Sequence, residues 1–147
     1  MIWPNDPREA FLQYVLTYIG KWYKWGGDDP SGFDCSGLVV EGLQSVGVME
    51  RDEDMSAVAM AHEFQRYILE NHTPVPGALA FYYRSGVVGH VAVCLSRWQI
   101  LEAAGGGSHV KTEADAVKFN AFIKVRPFSY QGLHSICDPI RKLERSP

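Results

Sequence analysis

The chain has 147 residues, 46% of them apolar and 21% charged, the balance of an ordinary domain with enough apolar material for one core. Its formal charge of −3 comes with Lys and Arg scattered along the sequence, so no basic stripe is available to neutralise phosphates and nucleic acid is not an expected partner. No apolar run approaches the ~20 residues of a membrane span. The opening Met1-Ile2-Trp3-Pro4-Asn5-Asp6 lacks the basic and apolar regions of a secretory signal, so neither membrane insertion nor standard export is expected.

The first element begins at Asp6-Pro7-Arg8-Glu9. Asp6 is placed as N-cap, Pro7 at the first helical position and Glu9 as a capping-box carboxylate. Phe11, Leu12, Val15, Leu16 and Ile19 recur at helical spacing and predict a core-facing stripe closed by Gly20. Gly26 to Phe33 is a cluster of turn formers and reads as a loop. A second helix starts at or near Cys35, with Leu38, Val39, Leu43 and Val46 on one face, Gly37 and Gly42 allowing close packing, and Gly47 as its stop. Met55 to Leu69 reads as a third helix.

After Pro76-Gly77 the pattern changes to strands at Ala78 to Tyr83, His90 to Leu95 and Gln99 to Ala103, an expected antiparallel meander. Gly105-Gly106-Gly107 reads as a loop. Thr112 with Asp115 can cap a short helix, and Ala121 to Val125 adds a strand. Helices first and strands later give an α+β domain. One domain over 1–147 is expected, with 128–147 as a C-terminal tail or extension.

The three cysteines, Cys35, Cys94 and Cys137, are an odd number at wide separations, neither a disulfide framework nor a zinc ladder. No metal site and no cofactor are expected. Such a count fits a chain made in a reducing cytoplasm, where a lone thiol can serve as nucleophile. Cys35 stands apart because it lies where a Gly-rich loop turns into a helix. Free amide N–H groups and partial positive charge at a helix N-terminus favour thiolate. The competing reading, a small buried hydrophobe, applies with more force to Cys94 and Cys137.

A thiol nucleophile needs a base. Among His62, His72, His90, His109 and His134, His90 follows Gly89 at the start of the apolar run Val91-Ala92-Val93-Cys94-Leu95, where a sheet could hold the imidazole. The other four read as surface or satisfied core residues.

The stretch Trp22-Tyr23-Lys24-Trp25-Gly26-Gly27-Asp28-Asp29-Pro30-Ser31-Gly32-Phe33-Asp34-Cys35-Ser36-Gly37-Leu38-Val39 resembles the signature of the NlpC/p60 cell-wall cysteine peptidases. A second block resembles Val75-Pro76-Gly77-Ala78-Leu79-Ala80-Phe81-Tyr82 followed by Gly89-His90-Val91-Ala92-Val93, and the likeness runs from about Phe11 to Pro127. It implies a papain-like core with the Cys35 helix packed on the sheet that bears His90. It further implies His90 as general base, an oxyanion site from the Cys35 amide and Tyr23, and Asp34 and Ser36 as substrate-binding residues near a free amino end. The third residue of the family, commonly a His, falls on Glu102. A carboxylate there would favour the charged imidazole, with His109 as the reserve candidate. Another departure is Ala78, where the family usually has Asp.

The implied activity is hydrolysis of peptidoglycan stem peptides, typically between γ-D-glutamate and a diamino acid, through a thioester on Cys35. The chain after Val125 resembles phage-associated members. Delivery to the cell wall by a phage tail, by lysis or by a secretion system, with phage tail proteins as partners, is therefore an expectation. Two alternatives stand beside it: a papain-like amidase or acyltransferase, and a non-catalytic tail or wall-binding module.

Overall fold

A computed structural model describes residues 4–24, 26–29, 32–104 and 108–144. Trp25, Pro30, Ser31 and the Gly105-Gly106-Gly107 segment lie outside the described residues. The elements are helices α1 (Pro7–Leu16), α2 (Cys35–Ser45), α3 (Ala57–Glu63), α4 (Glu113–Phe119) and α5 (Arg141–Glu144), and strands β1 (Asp28–Asp29), β2 (Gly32–Phe33), β3 (Leu79–Arg84), β4 (Val87–Cys94), β5 (Gln99–Ala103), β6 (Ile123–Pro127) and β7 (Leu133–Cys137). This is the expected α+β arrangement of helices on an antiparallel sheet.

The main sheet has the order β6-β5-β4-β3-β7. Helices α2 and α3 pack on β4, and α1 packs on α2. Phe11, Leu38, Leu43, Met60, Phe64, Leu79, Phe81 and Leu101 fill the space between these helices and the sheet. The other face carries a smaller cluster of Ala78, Ala80, Tyr82, Ala92, Cys94, Ile100 and Ile136. A sheet buried on both faces explains why β3 and β4 read as nearly continuous apolar runs. No helix among the described residues is long and apolar enough to cross a membrane.

The local rules hold well at the caps. Asp6 accepts from the Arg8 amide at 2.8 Å, and Thr112 and Asp115 form a reciprocal capping box on α4. Four sequence expectations are corrected. Helix α1 ends at Leu16, and Leu16 and Ile19 are exposed, so the buried stripe narrows to Phe11 and Val15. The turn-forming segment after Gly26 holds two short paired strands, with Asp28 opposite Phe33 and Asp29 opposite Gly32. The third helix stops at Glu63. A single 3-10 turn over Gln65–Tyr67 follows, and Ile68 then leaves to bridge Cys137.

The fourth correction concerns the C-terminal segment, read as a tail or extension. It supplies β7, which pairs with β3 from Leu79 opposite Cys137 to Tyr82 opposite Leu133. Ile136 and Ile140 are fully buried. Asp138, 3% exposed, receives both guanidinium nitrogens of Arg8 at 3.0 and 2.9 Å. Arg8 also donates to the Pro76 carbonyl at 2.8 Å, so a single side chain joins α1, the start of β3 and the C-terminal segment.

Candidate active site

Helix α2 begins at Cys35 because Asp34 caps it. The Asp34 carboxylate accepts from the Gly37 amide at 2.6 Å and from the Ser36 hydroxyl at 3.3 Å. The preceding loop is tied down by Asp34 N–H donating to the Gly27 carbonyl at 3.0 Å. That carbonyl crosses so near to the helix that a Cβ on residue 37 would collide with it. Glycine at 37 is therefore a steric requirement of bringing the loop across the first turn of α2. Gly42 meets a similar requirement further along the helix, where a Cβ would lie 2.5 Å from Val15 Cγ1 and 2.7 Å from Phe11 Cε1.

All three thiols are free, but their settings differ. Cys94 and Cys137 are buried, and burial pushes the Cys94 thiol up to about 12 and the Cys137 thiol upward as well. Both are therefore held as neutral thiols at neutral pH. Cys35 is the partly exposed one.

His90, the candidate base, sits beside a bulge. Tyr82 pairs with His90 but Tyr83 pairs with Val88, so Gly89 is an extra, unpaired residue of β4. Val88 and Val91, three positions apart, consequently both enter the helix-covered core, and His90 between them stands opposite Tyr82, ring centroids 5.9 Å apart.

Nε2 of His90 lies 2.9 Å from Oε2 of Glu102, and the Cys35 side chain acts on the same ring. With Nε2 taken by the carboxylate, Nδ1 is the ring nitrogen left for the thiol. Burial disfavours the imidazolium, but the bonds and charges of Cys35 and Glu102 outweigh it and raise His90 to about 9. Burial likewise works against the Glu102 carboxylate. The hydrogen bond and charge of His90, followed by the charges of Arg126 and Arg84, hold it below the usual carboxylate range. Arg126 Nε stands 3.7 Å from Oε1.

The remaining sequence candidates fall around this line. Tyr23 is 6% exposed and fixed through its backbone N–H to the Ala121 carbonyl at 2.8 Å. Burial and then the charges of Cys35 and Asp34 push its phenol well up, so the hydroxyl keeps its proton beside the thiol. Asp34 and Ser36 edge a cleft of about 210 Å³ that also contains Asp54 and Ser56. Burial, with the charge of Asp54, raises the Asp34 carboxyl against the hydrogen bonds it accepts. Asp54 escaped the sequence reading because nothing near it in the chain marks it; only the fold carries it to α2.

His109 is stacked edge-on against Phe119 at 4.5 Å, and the third position beside His90 is occupied by Glu102. His134 is paired with Ser135 at 2.7 Å. Among the described residues no group of three His, Cys, Asp or Glu is arranged to hold a metal ion.

A second cavity, of about 620 Å³, has the imidazole in its wall. His90, Glu102, Tyr82, Arg84, Arg126 and Gln131 contribute to its walls. Tyr82, pushed up to about 12 chiefly by burial, donates its hydroxyl proton to the Ser129 carbonyl at 2.8 Å.

Comparison with known proteins adds a family relationship. The sequence model of the NlpC/P60 family matches residues 20–125. The chain is 41% identical over 75 residues to "Probable endopeptidase Rv2190c" of Mycobacterium tuberculosis, covering 51% of this chain and 18% of that protein. It is 31% identical over 118 residues to "Probable endopeptidase YafL" of Escherichia coli, covering 78% of this chain and 47% of the relative. The chain thus spans less than half the length of these curated relatives. Among solved structures, the NlpC/p60 domain of the peptidoglycan hydrolase SagA superposes with a TM-score of 0.63 at 24% identity, covering 88% of this chain and 97% of that one. At that identity the likeness supports the fold.

Proposed function

The chain belongs to the NlpC/P60 family, and we propose that it is a cysteine endopeptidase that hydrolyses the peptide stems of bacterial peptidoglycan. The observation that carries the reading is the line Cys35–His90–Glu102, in which His90 Nε2 lies 2.9 Å from Glu102 Oε2 and Cys35 acts on the same ring. A thiol at a helix N-terminus, an imidazole held charged and a carboxylate beside it have no common structural need, whereas thiol-based acyl transfer uses a nucleophile, a base and a polar group that orients the base.

The chemistry follows from the geometry. His90 takes the thiol proton, and the Cys35 sulfur attacks the scissile carbonyl carbon. The amide N–H of Cys35 and the Tyr23 hydroxyl donate to the oxygen as it gains charge; loss of such a donor costs about 10²–10³ in rate. As the tetrahedral intermediate collapses, the C–N bond breaks and His90 returns its proton to the leaving amine. Glu102 stabilises the imidazolium until that proton is given up. Water, activated by the now neutral His90, then releases the acyl group from Cys35.

The finer reading is cleavage between γ-D-glutamate and a diamino acid, with Asp34 and Ser36 receiving the free amino end of the stem in the cleft they edge. Access to the wall through a phage tail, through lysis or through a secretion system belongs to the same proposal. Purified protein incubated with defined muropeptides should release fragments identifiable by mass, and Cys35→Ala should abolish them. Absence of cleavage by the wild type, or undiminished cleavage by Cys35→Ala, would overturn the assignment.

A further inference from the structure

Glu102 faces two cations through two different oxygens. Oε2 lies 2.9 Å from His90 Nε2, and Oε1 lies 3.7 Å from Arg126 Nε. The sheet accounts for the second approach. In the β5–β6 pairing Glu102 stands opposite Lys124 and Ile100 opposite Arg126, so all four side chains share one face and Arg126 meets Glu102 along the diagonal. Lys124, the direct neighbour, donates instead to the Asn120 carbonyl at 2.9 Å.

The pair is unequally exposed. The Glu102 side chain is 12% exposed and that of Arg126 50%, so a largely buried carboxylate is reached by a guanidinium that stays in contact with water. The charged and titratable groups facing Glu102 are His90 on β4, Arg126 and Lys124 on β6, and Arg84 and Tyr82 on β3. Those facing His90 are Cys35 on α2, Glu102 on β5 and Tyr82 on β3. Burial works against the charge on Glu102, and it is opposed by His90 first, then Arg126, then Arg84. Arg84 also donates through Nη1 to the Tyr83 carbonyl at 3.0 Å.

The two cations on the carboxylate differ in kind. In the proposed cycle His90 gives its proton to the leaving amine and is neutral while the acyl group waits on Cys35. A guanidinium stays charged at any working pH. For that part of the cycle Arg126 is the standing counter-charge at Oε1. A carboxylate that faces a second cation also grips the first less tightly, because each positive charge nearby disfavours another. We infer that Arg126 is a positioning residue for the reaction: from the edge strand β6 it holds Glu102 as a carboxylate beside His90 while leaving the imidazole free to part with its proton. Arg126 acts through Glu102 and not on the peptide.

The inference rests on the peptidase reading for its place in the cycle, but its first readout needs no substrate. The Glu102 carboxyl carbon is followed by carbon NMR against pH, its signal assigned by its loss in Glu102→Gln. Arg126→Met, which removes the charge and keeps an apolar stem, should raise the Glu102 midpoint by about half a pH unit or more, the size of one ion pair with a half-exposed partner. Arg126→Lys should restore most of that shift. In cleavage of a soluble muropeptide, Arg126→Met should move both the acid and the alkaline limbs of kcat/KM upward, and its loss of rate should fall on kcat with KM nearly unchanged. In a Glu102→Gln background the acid-side shift should vanish, since no carboxylate is left there to titrate. A Glu102 midpoint unmoved or lowered in Arg126→Met, a shift that Arg126→Lys does not reverse, or a loss that falls on KM alone overturns the positioning role and leaves the peptidase assignment standing. Absence of cleavage by the wild type removes the peptidase reading and the positioning role with it.

Discussion

Replacing Glu102 by Gln tests whether the carboxylate keeps His90 charged. The amide retains size and a hydrogen-bonding oxygen but loses the charge facing Nε2 at 2.9 Å. Raising a histidine from 6.5 to about 9 corresponds to about 3 kcal/mol in favour of the imidazolium. Cys35 and Glu102 share that preference against the opposing effect of burial. Because the proposed mechanism needs the His90 proton for the leaving amine, the alkaline limb of kcat/KM reports the loss of the imidazolium.

In the wild type that limb should fall near pH 9. In Glu102→Gln it should move down by roughly one to two pH units, since the variant loses one of two ionic partners. The assay is initial-rate cleavage of a soluble muropeptide across the neutral to alkaline range, with constant ionic strength. An alkaline limb unchanged in the variant would refute the assignment of Glu102 as the partner that holds the imidazole charged.

The same shifts have a stability consequence. His90 is raised in the fold, so its contribution is complete below about pH 6.5 and is lost as pH rises through about 9. Glu102 is lowered, so its contribution is present above about pH 4.5 and is lost as pH falls through its depressed value.

Iodoacetamide applied to the native protein should modify Cys35 alone, because Cys94 and Cys137 are buried neutral thiols; peptide mapping by mass reads this directly, and early labelling of Cys94 would contradict the burial. Arg8→Met removes both partners of the Asp138 carboxylate supplied by α1 and leaves that group almost fully buried, so urea unfolding should register a loss of about 3 kcal/mol. A loss below about 0.5 kcal/mol would mean that Arg141, 4.0 Å away, already compensates the charge.

The caps at Asp6 and Thr112 were legible in the sequence because each depends on neighbours within a few positions; the settings of Cys35 at a loop-to-helix turn and of His90 beside an apolar strand were read the same way, and their proposed roles came from the family resemblance. The same locality made the meander readable. What was missed depends on distant partners. Nothing in Leu133–Cys137 alternates clearly enough to announce a strand, and its place is set by pairing with β3 and by Asp138 meeting Arg8 across the fold. Ile19 carries the helical period of α1 but lies past the point where the chain turns to pair Gly20 and Lys21 with Ile123. Asp54 reaches the Asp34 cleft, and Arg84 the His90 cavity, only because the chain folds back on itself.

Gly89 joins these two kinds of information. In the sequence it is a small residue before a histidine, and in the fold it is the one residue of β4 without a partner on β3 between Tyr82 and Tyr83. Removing the bulge would restore strict alternation, and His90 could not keep its place opposite Tyr82 while Val88 and Val91 both remained in the core. A side chain at 89 would also displace Arg84. The local course of β4 beside His90 and the path of the Arg84 side chain therefore meet at this one residue.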